Sequence, residues 1–477
     1  MNHKKLLLTL TLCLCALLCM VVTASASEMP VHSHFLCGGN SCTAPTVHQG
    51  DVQTEFTQKL TSDNGILKIE GTAAGGNSAY ELGAGSYYLD ANLTLNKGIY
   101  ITGDVTLCLN GHDIIRTGNL IQIQEDASFT LCDCKGDKAE YGKLDSNKGG
   151  RVVSFESTKP GTFTMYGGII TGGNVTGNSG GGVFVGDKNT FTMYGGTITG
   201  NSAGSPGGGV VVYGAFNMYG GAITGNFARE GGGGVAAYGA FTMSGGAITD
   251  NTCSGSYNGG GVYVENGTWS TGAITLSGNV QIKDNYKGSN SNKKPSNIYL
   301  AGNKTITVDG SLTGSSIGVT TAAEPEPGTG SNVTFANGST NTITTGIFTP
   351  DTAGVLVGVA ADGTNAYLYK CSHVYDEWAY DEEYHWKKCS NVGCDSVEAG
   401  SKIAHTWDYP ATYTAPKTCV CGATQGEPLT RSYYYYTPSA AENKKDSPKT
   451  ADPGVLLYAG LALASLTGLA CTAKKRH

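Results

Sequence analysis

The chain has 477 residues, a formal net charge of -7 and only 14% charged residues, so it offers no basic surface and nucleic acid is excluded as a partner. Glycine is abundant at 71 residues, yet it recurs at fixed intervals, which excludes a disordered low-complexity chain and signals a regular architecture.

The N-terminus reads as a signal peptide over residues 1–26: His3-Lys4-Lys5, an apolar run from Leu6 to Val22 that is short for a span, and a small-residue cleavage site at Ala24-Ser25-Ala26, the alternative being an uncleaved membrane anchor. Export follows, with a mature chain starting near Ser27. Residues 27–78 form an N-terminal segment and cap, in which His32-Ser33-His34-Phe35-Leu36-Cys37 and Cys42 make a small cluster of ligand-type side chains. Of 15 cysteines, Cys13, Cys15, Cys19 and Cys471 fall in the two terminal segments, which leaves 11 outside the cell. That number is odd, so at least one is a thiol, binds metal or pairs between chains.

The middle of the chain repeats. Phe163-Thr164-Met165-Tyr166-Gly167-Gly168 recurs from Phe191, Phe216 and Phe241, at spacings of 28, 25 and 25 residues. The last three copies are followed by Ile-Thr and an asparagine at Asn201, Asn226 or Asn251, and all four by a glycine run leading to Val183, Val210, Val235 or Val262. One unit therefore holds three short alternating runs separated by Gly or Asn, which are strands. Three strands and three turns per coil of about 25 residues predict an all-β, right-handed, single-stranded parallel β-helix, each coil pairing with the next about 4.8 Å along the axis.

Alternation assigns the faces. Phe191, Met193, Phe216, Met218, Val210, Val212, Ile198, Ile223 and Ile248 point inward; Thr192, Tyr194, Tyr219, Val211 and Tyr263 point outward. Asn201, Asn226 and Asn251 recur at one turn and predict an internal ladder whose amides satisfy the backbone at the bend. Weaker copies, including Val105 to Leu109, Phe129 to Cys132, Lys143 to Asn147 and Ile274 to Asn285, extend the helix over 79–319. In that register Cys108 and Cys132 are neighbours one coil apart. Residues 320–370 read as a linker and a terminal β segment, with Ala322 to Ser331 rich in Pro, Glu and Gly.

These Gly-Gly-Ala-Ile-Thr-Gly-Asn units resemble the Gly-Gly-x-Ile repeats of polymorphic outer-membrane proteins and of β-helical surface proteins of Gram-positive bacteria. The resemblance implies the fold; the same solenoid carries lyases, hydrolases and adhesins. Two functions follow as alternatives. One is a non-catalytic display or adhesion module whose outward face meets a glycan or host protein, with no catalytic residue. The other is a carbohydrate-active enzyme of the pectate-lyase-like type, which needs clustered outward carboxylates. Asp187, Arg229, Glu230, Asp250 and Glu265 are scattered over different turns, which favours the first. Tyr166, Tyr194 and Tyr219 repeat at one outward position, either as a platform for glycan rings or as a ladder that stabilises neighbouring strands.

Residues 371–426 change character. Cys371-Ser372-His373, His385-Trp386-Lys387-Lys388-Cys389, Cys394, His405-Thr406-Trp407 and Cys419-Val420-Cys421-Gly422 resemble the small His-Trp and Cys-x-x-Cys-Gly modules at the C-terminal ends of such surface proteins. The resemblance implies a zinc ribbon with Cys389, Cys394, Cys419 and Cys421 as ligands, although four residues separate the first pair and one the second; disulfides are the alternative. Residues 427–454 form a linker with Ser447-Pro448-Lys449-Thr450-Ala451, which resembles the Leu-Pro-x-Thr-Gly sorting signal of Gram-positive wall proteins, Ser447 replacing Leu and Ala451 replacing Gly. That implies a sortase-type transpeptidase cutting after Thr450 and attachment to the cell wall. Residues 455–473 are apolar and, at about 1.5 Å per residue, long enough for a transmembrane helix, and 474–477 are a basic cytoplasmic tail. The same segment alone makes a plain membrane anchor.

Overall fold

The computed structural model describes residues 32–36 and 52–430, apart from 135–140, 157–158, 255–257, 268–271, 290–291, 327–331, 372 and 391–395. The signal peptide, the sorting motif Ser447 to Ala451 and the 455–473 segment lie outside the described residues, as does Cys394. The chain divides into two compact units, 1–379 with 385–403, and 380–384 with 404–477.

The first unit is an all-β parallel β-helix, with no α-helix among its described elements. Successive coils pair strand on strand in parallel and in register. Thr162–Met165 lies on Thr190–Met193, which lies on Ala215–Met218, with Phe opposite Phe and Met opposite Met. The inward phenylalanines stack with ring centroids 4.7 Å apart for Phe163 and Phe191 and 4.6 Å for Phe191 and Phe216, so one apolar column runs along the axis. The inward Phe, Met, Val and Ile expected from alternation are all buried. Parallel pairing also extends beyond 79–319: Gln58–Asp63 pairs with Gly85–Leu89, and Phe348–Pro350 with Ser316–Thr321. Antiparallel strands close both ends, Ile66–Ile69 on Gln58–Asp63, and Asn365–Lys370 on Val333–Gly338, where Phe335 and Leu368 bury.

The asparagine ladder is present and longer than three rungs. The Asn226 Oδ1 accepts from the Asn201 N–H at 3.1 Å and from its Nδ2 at 3.0 Å, and Asn251 does the same for Asn226 at 3.0 and 2.9 Å. Asn285 and Asn297 continue it, and the Asp351 carboxylate ends it, accepting from the Asn297 N–H and Nδ2, each at 2.6 Å. Burial pushes the Asp351 carboxyl up, against the pull of these bonds. Gly209 has no room for a side chain beside this stack: a Cβ there would meet the Gly234 carbonyl at 2.6 Å and the Asn226 Nδ2 at 3.1 Å.

Two details differ from the pattern. Asn147 is an exposed, left-handed turn residue (φ 46°), and the buried ladder position beside it belongs to Ser146, whose hydroxyl donates to the Gly150 and Gly172 carbonyls at 3.1 and 2.9 Å. Val211 lies outside the central core, as expected, but is fully buried. The glycine corners fold over it, close enough that a Cβ on Gly180 would sit 2.6 Å from its Cγ1.

Candidate functional site

Two surfaces and two side-chain clusters carry the chemistry. On the β-helix, Tyr166, Tyr194 and Tyr219 follow the strands that end at Met165, Met193 and Met218, so coil register brings them into one column. Their ring centroids are 5.0 and 5.1 Å apart with interplanar angles of 8° and 14°, and each is half-buried. At that spacing each ring covers much of its neighbour's face. The column ends at Tyr219, because the next coil places Ser244 after Met243, and a serine is too small to cover a phenol ring. A second column runs through Tyr213, Tyr238, Tyr263 and Tyr299, with centroids 5.0, 6.4 and 5.8 Å apart. The carboxylates Asp187, Glu230, Asp250 and Glu265 stand on different turns of these coils.

The cysteines after the helix sort into two groups that differ from the expected quartet. In the first unit, Cys371 directly follows strand Asn365–Lys370 and Cys389 directly follows strand Tyr384–Lys388; both are buried. Their sulfurs lie 3.5 Å apart, and with His373 they place three ligand atoms within 4.8 Å of one another. In the second unit, Lys417–Thr418 and Thr424–Gln425 form a hairpin whose turn is closed by the Gly422 N–H donating to the Cys419 carbonyl, with Gly422 at φ 92°. That turn presents Cys419 and Cys421 to one side, where they meet His405, again within 4.8 Å.

The donor chemistry fits a metal ion in both groups. Tetrahedral zinc, with Zn–S of about 2.3 Å and Zn–N of about 2.0–2.1 Å, separates two sulfurs by about 3.8 Å and a sulfur from a nitrogen by about 3.6 Å. The observed values are 3.5 Å for Cys371 and Cys389 and 3.5 Å for the Cys421 sulfur and His405 Nδ1. A disulfide would need about 2.05 Å. The other His405 nitrogen, Nε2, lies 2.9 Å from the Asp381 carbonyl, which holds the ring with Nδ1 toward the thiols. Burial works against a Cys419 thiolate, but the Cys421 N–H, the His405 ring and the Cys421 and Thr406 contacts outweigh it and bring the thiol down to about 7. Cys421 is pushed up, chiefly by burial, so of the two Cys419 is the readier anion.

The expected set shares Cys389, Cys419 and Cys421 with these groups, which also bring in Cys371, His373 and His405; Cys394 lies outside the described residues. The fold and these clusters define an all-β class, a parallel β-helix followed by thiol and imidazole groups able to hold metal ions. No protein-family model matches the chain, and no curated protein or solved structure does.

Proposed function

We propose that the chain is an exported surface protein, held at the cell envelope by its C-terminal segment, whose β-helix is a non-catalytic display or adhesion stalk that meets a glycan or host protein through its outer face. The observation that carries this reading is the tyrosine column that ends on an aromatic face at Tyr219 beside Ser244. A sugar ring stacks through its apolar face on such a phenol, while the hydroxyl edges of Tyr194 and Tyr166 offer hydrogen bonds along the column. On this reading zinc occupies the Cys371, His373, Cys389 group and the His405, Cys419, Cys421 group and holds the C-terminal segment folded. A sortase-type transpeptidase joins Thr450 to the cell wall. The test is a glycan array probed with the purified full chain, followed by Tyr219→Ala and Tyr194→Ala. Binding that falls at least tenfold in Tyr219→Ala and less in Tyr194→Ala supports contact at the column's end. Binding untouched by both removes the aromatic column from the interaction.

A further inference from the structure

A third group of cysteines lies on the outer face of the early coils, far in sequence from the C-terminal clusters. Strand Asp104–Cys108 pairs in parallel with Ser128–Cys132, which puts Cys108 opposite Cys132. Both are buried beneath Phe56 in a small apolar cluster of their own, flanked by Tyr88, Tyr166 and Cys134. Cys134 sits two residues past the end of its strand and is half-exposed, its thiol 3.2 Å from the Asn110 Oδ1. Cys108 thus has two thiol neighbours of different kinds. Cys134 packs against the cluster that Cys108 and Cys132 form, and the Cys132 thiol together with burial holds the Cys108 thiol well above its usual range, against the pull of the Cys134 thiol.

We propose that Cys108 and Cys134 form a disulfide in the exported protein, with Cys132 left as a buried thiol. The choice of partner rests on geometry. Cys108 and Cys132 are held in register by pairing on both sides, to Gly85–Leu89 below and Thr162–Met165 above. Strand spacing then keeps their Cβ atoms about 4.8 Å apart, beyond the roughly 3.5–4.5 Å a disulfide takes. Cys134 lies past the end of its strand, outside the in-register pairing that holds Cys108 and Cys132, and its partial exposure lets an oxidant in. The chemistry balances with an external disulfide oxidant. The Cys134 thiolate attacks one sulfur of that disulfide and releases a thiol. Cys108, losing its proton, then attacks the Cys134 sulfur and releases the second thiol, so two protein thiols are oxidised as one disulfide is reduced. The bond would pin the corner after Cys132 to the coil below, and fix the surface on which Phe56 rests. It would also leave an odd cysteine inside the fold, which bears on the odd number of exported cysteines.

The inference rests on export, and the test separates the two. Full-length protein is recovered from the envelope of producing cells, alkylated under denaturing conditions without reductant and mapped by mass spectrometry; a chain lacking residues 1–26 serves as the cytosolic control. The expected result is a peptide pair linking Cys108 to Cys134, alkylated Cys132, and all three alkylated in the control. Cys132→Ser should keep the bond and Cys134→Ser should abolish it. Envelope protein with all three thiols alkylated, or with a Cys108 to Cys132 bond, overturns the inference while leaving export intact. Protein found only in the cytosol overturns export, and this inference with it.

Discussion

Replacing Asn226 by Leu keeps the side-chain size and removes its polar atoms from the centre of the ladder. The Oδ1 accepts from the Asn201 N–H and Nδ2 at 3.1 and 3.0 Å, and the Nδ2 donates to the Ile198 and Thr224 carbonyls and the Asn251 Oδ1 at 2.9, 3.1 and 2.9 Å. The Asn201 and Asn251 side chains keep other partners. The Asn201 N–H loses its acceptor outright, and two carbonyls lose a donor each where water has no access, since Asn226 is 1% exposed. At about 1–3 kcal/mol for a stranded buried group, with the carbonyls only partly stranded, the loss comes to roughly 2–5 kcal/mol. For a solenoid of this size that is a fall of roughly 3–8 °C in the unfolding midpoint. Thr192→Leu is the control. It lies on the outer face between Thr164 and Asn217, half-buried, and should shift stability by less than about 0.5 kcal/mol. Thermal unfolding followed by far-ultraviolet circular dichroism reads both. Equal, small shifts in the two variants would refute the assignment of faces and every surface named from it.

Asp351 gives a prediction in pH. Its folded pKa is raised by burial, so the folded chain holds that proton more tightly than the unfolded chain. The contribution to stability is therefore full below the ordinary carboxylate range and is lost as pH rises through the folded value. Asp351→Asn should flatten that slope in urea midpoints measured across the acidic range, and an unchanged slope would assign the dependence to other groups. Metal analysis of the purified chain should give two zinc ions, with Cys371→Ser and Cys419→Ser each removing one; a chain that never holds more than one ion would mean that the two groups are not separate sites. Thr450→Ala should move the protein from the cell-wall fraction to the membrane fraction, because the transpeptidase must attack that carbonyl. Unchanged fractionation leaves a membrane anchor alone.

The solenoid was legible in the sequence because each coil repeats the demands of the one before it. Phe191, Met193 and Ile198 recur as Phe216, Met218 and Ile223 since each must fill the same slice of one core, and Asn201 recurs as Asn226 since each bend strands the same backbone groups. Side chains that meet this demand only once carry no such signature. Ser146 satisfies its bend with a hydroxyl, and Asn147 next to it imitates a rung while occupying a left-handed turn. Asp351 closes the ladder 54 residues beyond Asn297, directly after strand Phe348–Pro350, where no repeat of the Ile-Thr-Gly-Asn unit marks it.

The same limit explains the metal groups. Spacing along the chain suggested pairing Cys389 with Cys394 and Cys419 with Cys421, but a ligand's partners are set by where strands end. Cys371 and Cys389 each come directly after a strand, and it is those ends, 18 residues apart in sequence, that bring two sulfurs to 3.5 Å. His405 joins Cys419 and Cys421 because a turn closed at Gly422 faces both thiols to the side where its ring is held by the Asp381 carbonyl. Val211 makes the point on the helix itself, since alternation places it outward and the glycine corners above it, which have no side chains to reveal their path, seal it from solvent. A period in the sequence reports contacts one coil apart along the axis. What covers the solenoid from outside, or gathers ligand-type side chains after it in the chain, is decided by segments that occur once, and there the arrangement of thiols and imidazoles has to be read from the fold.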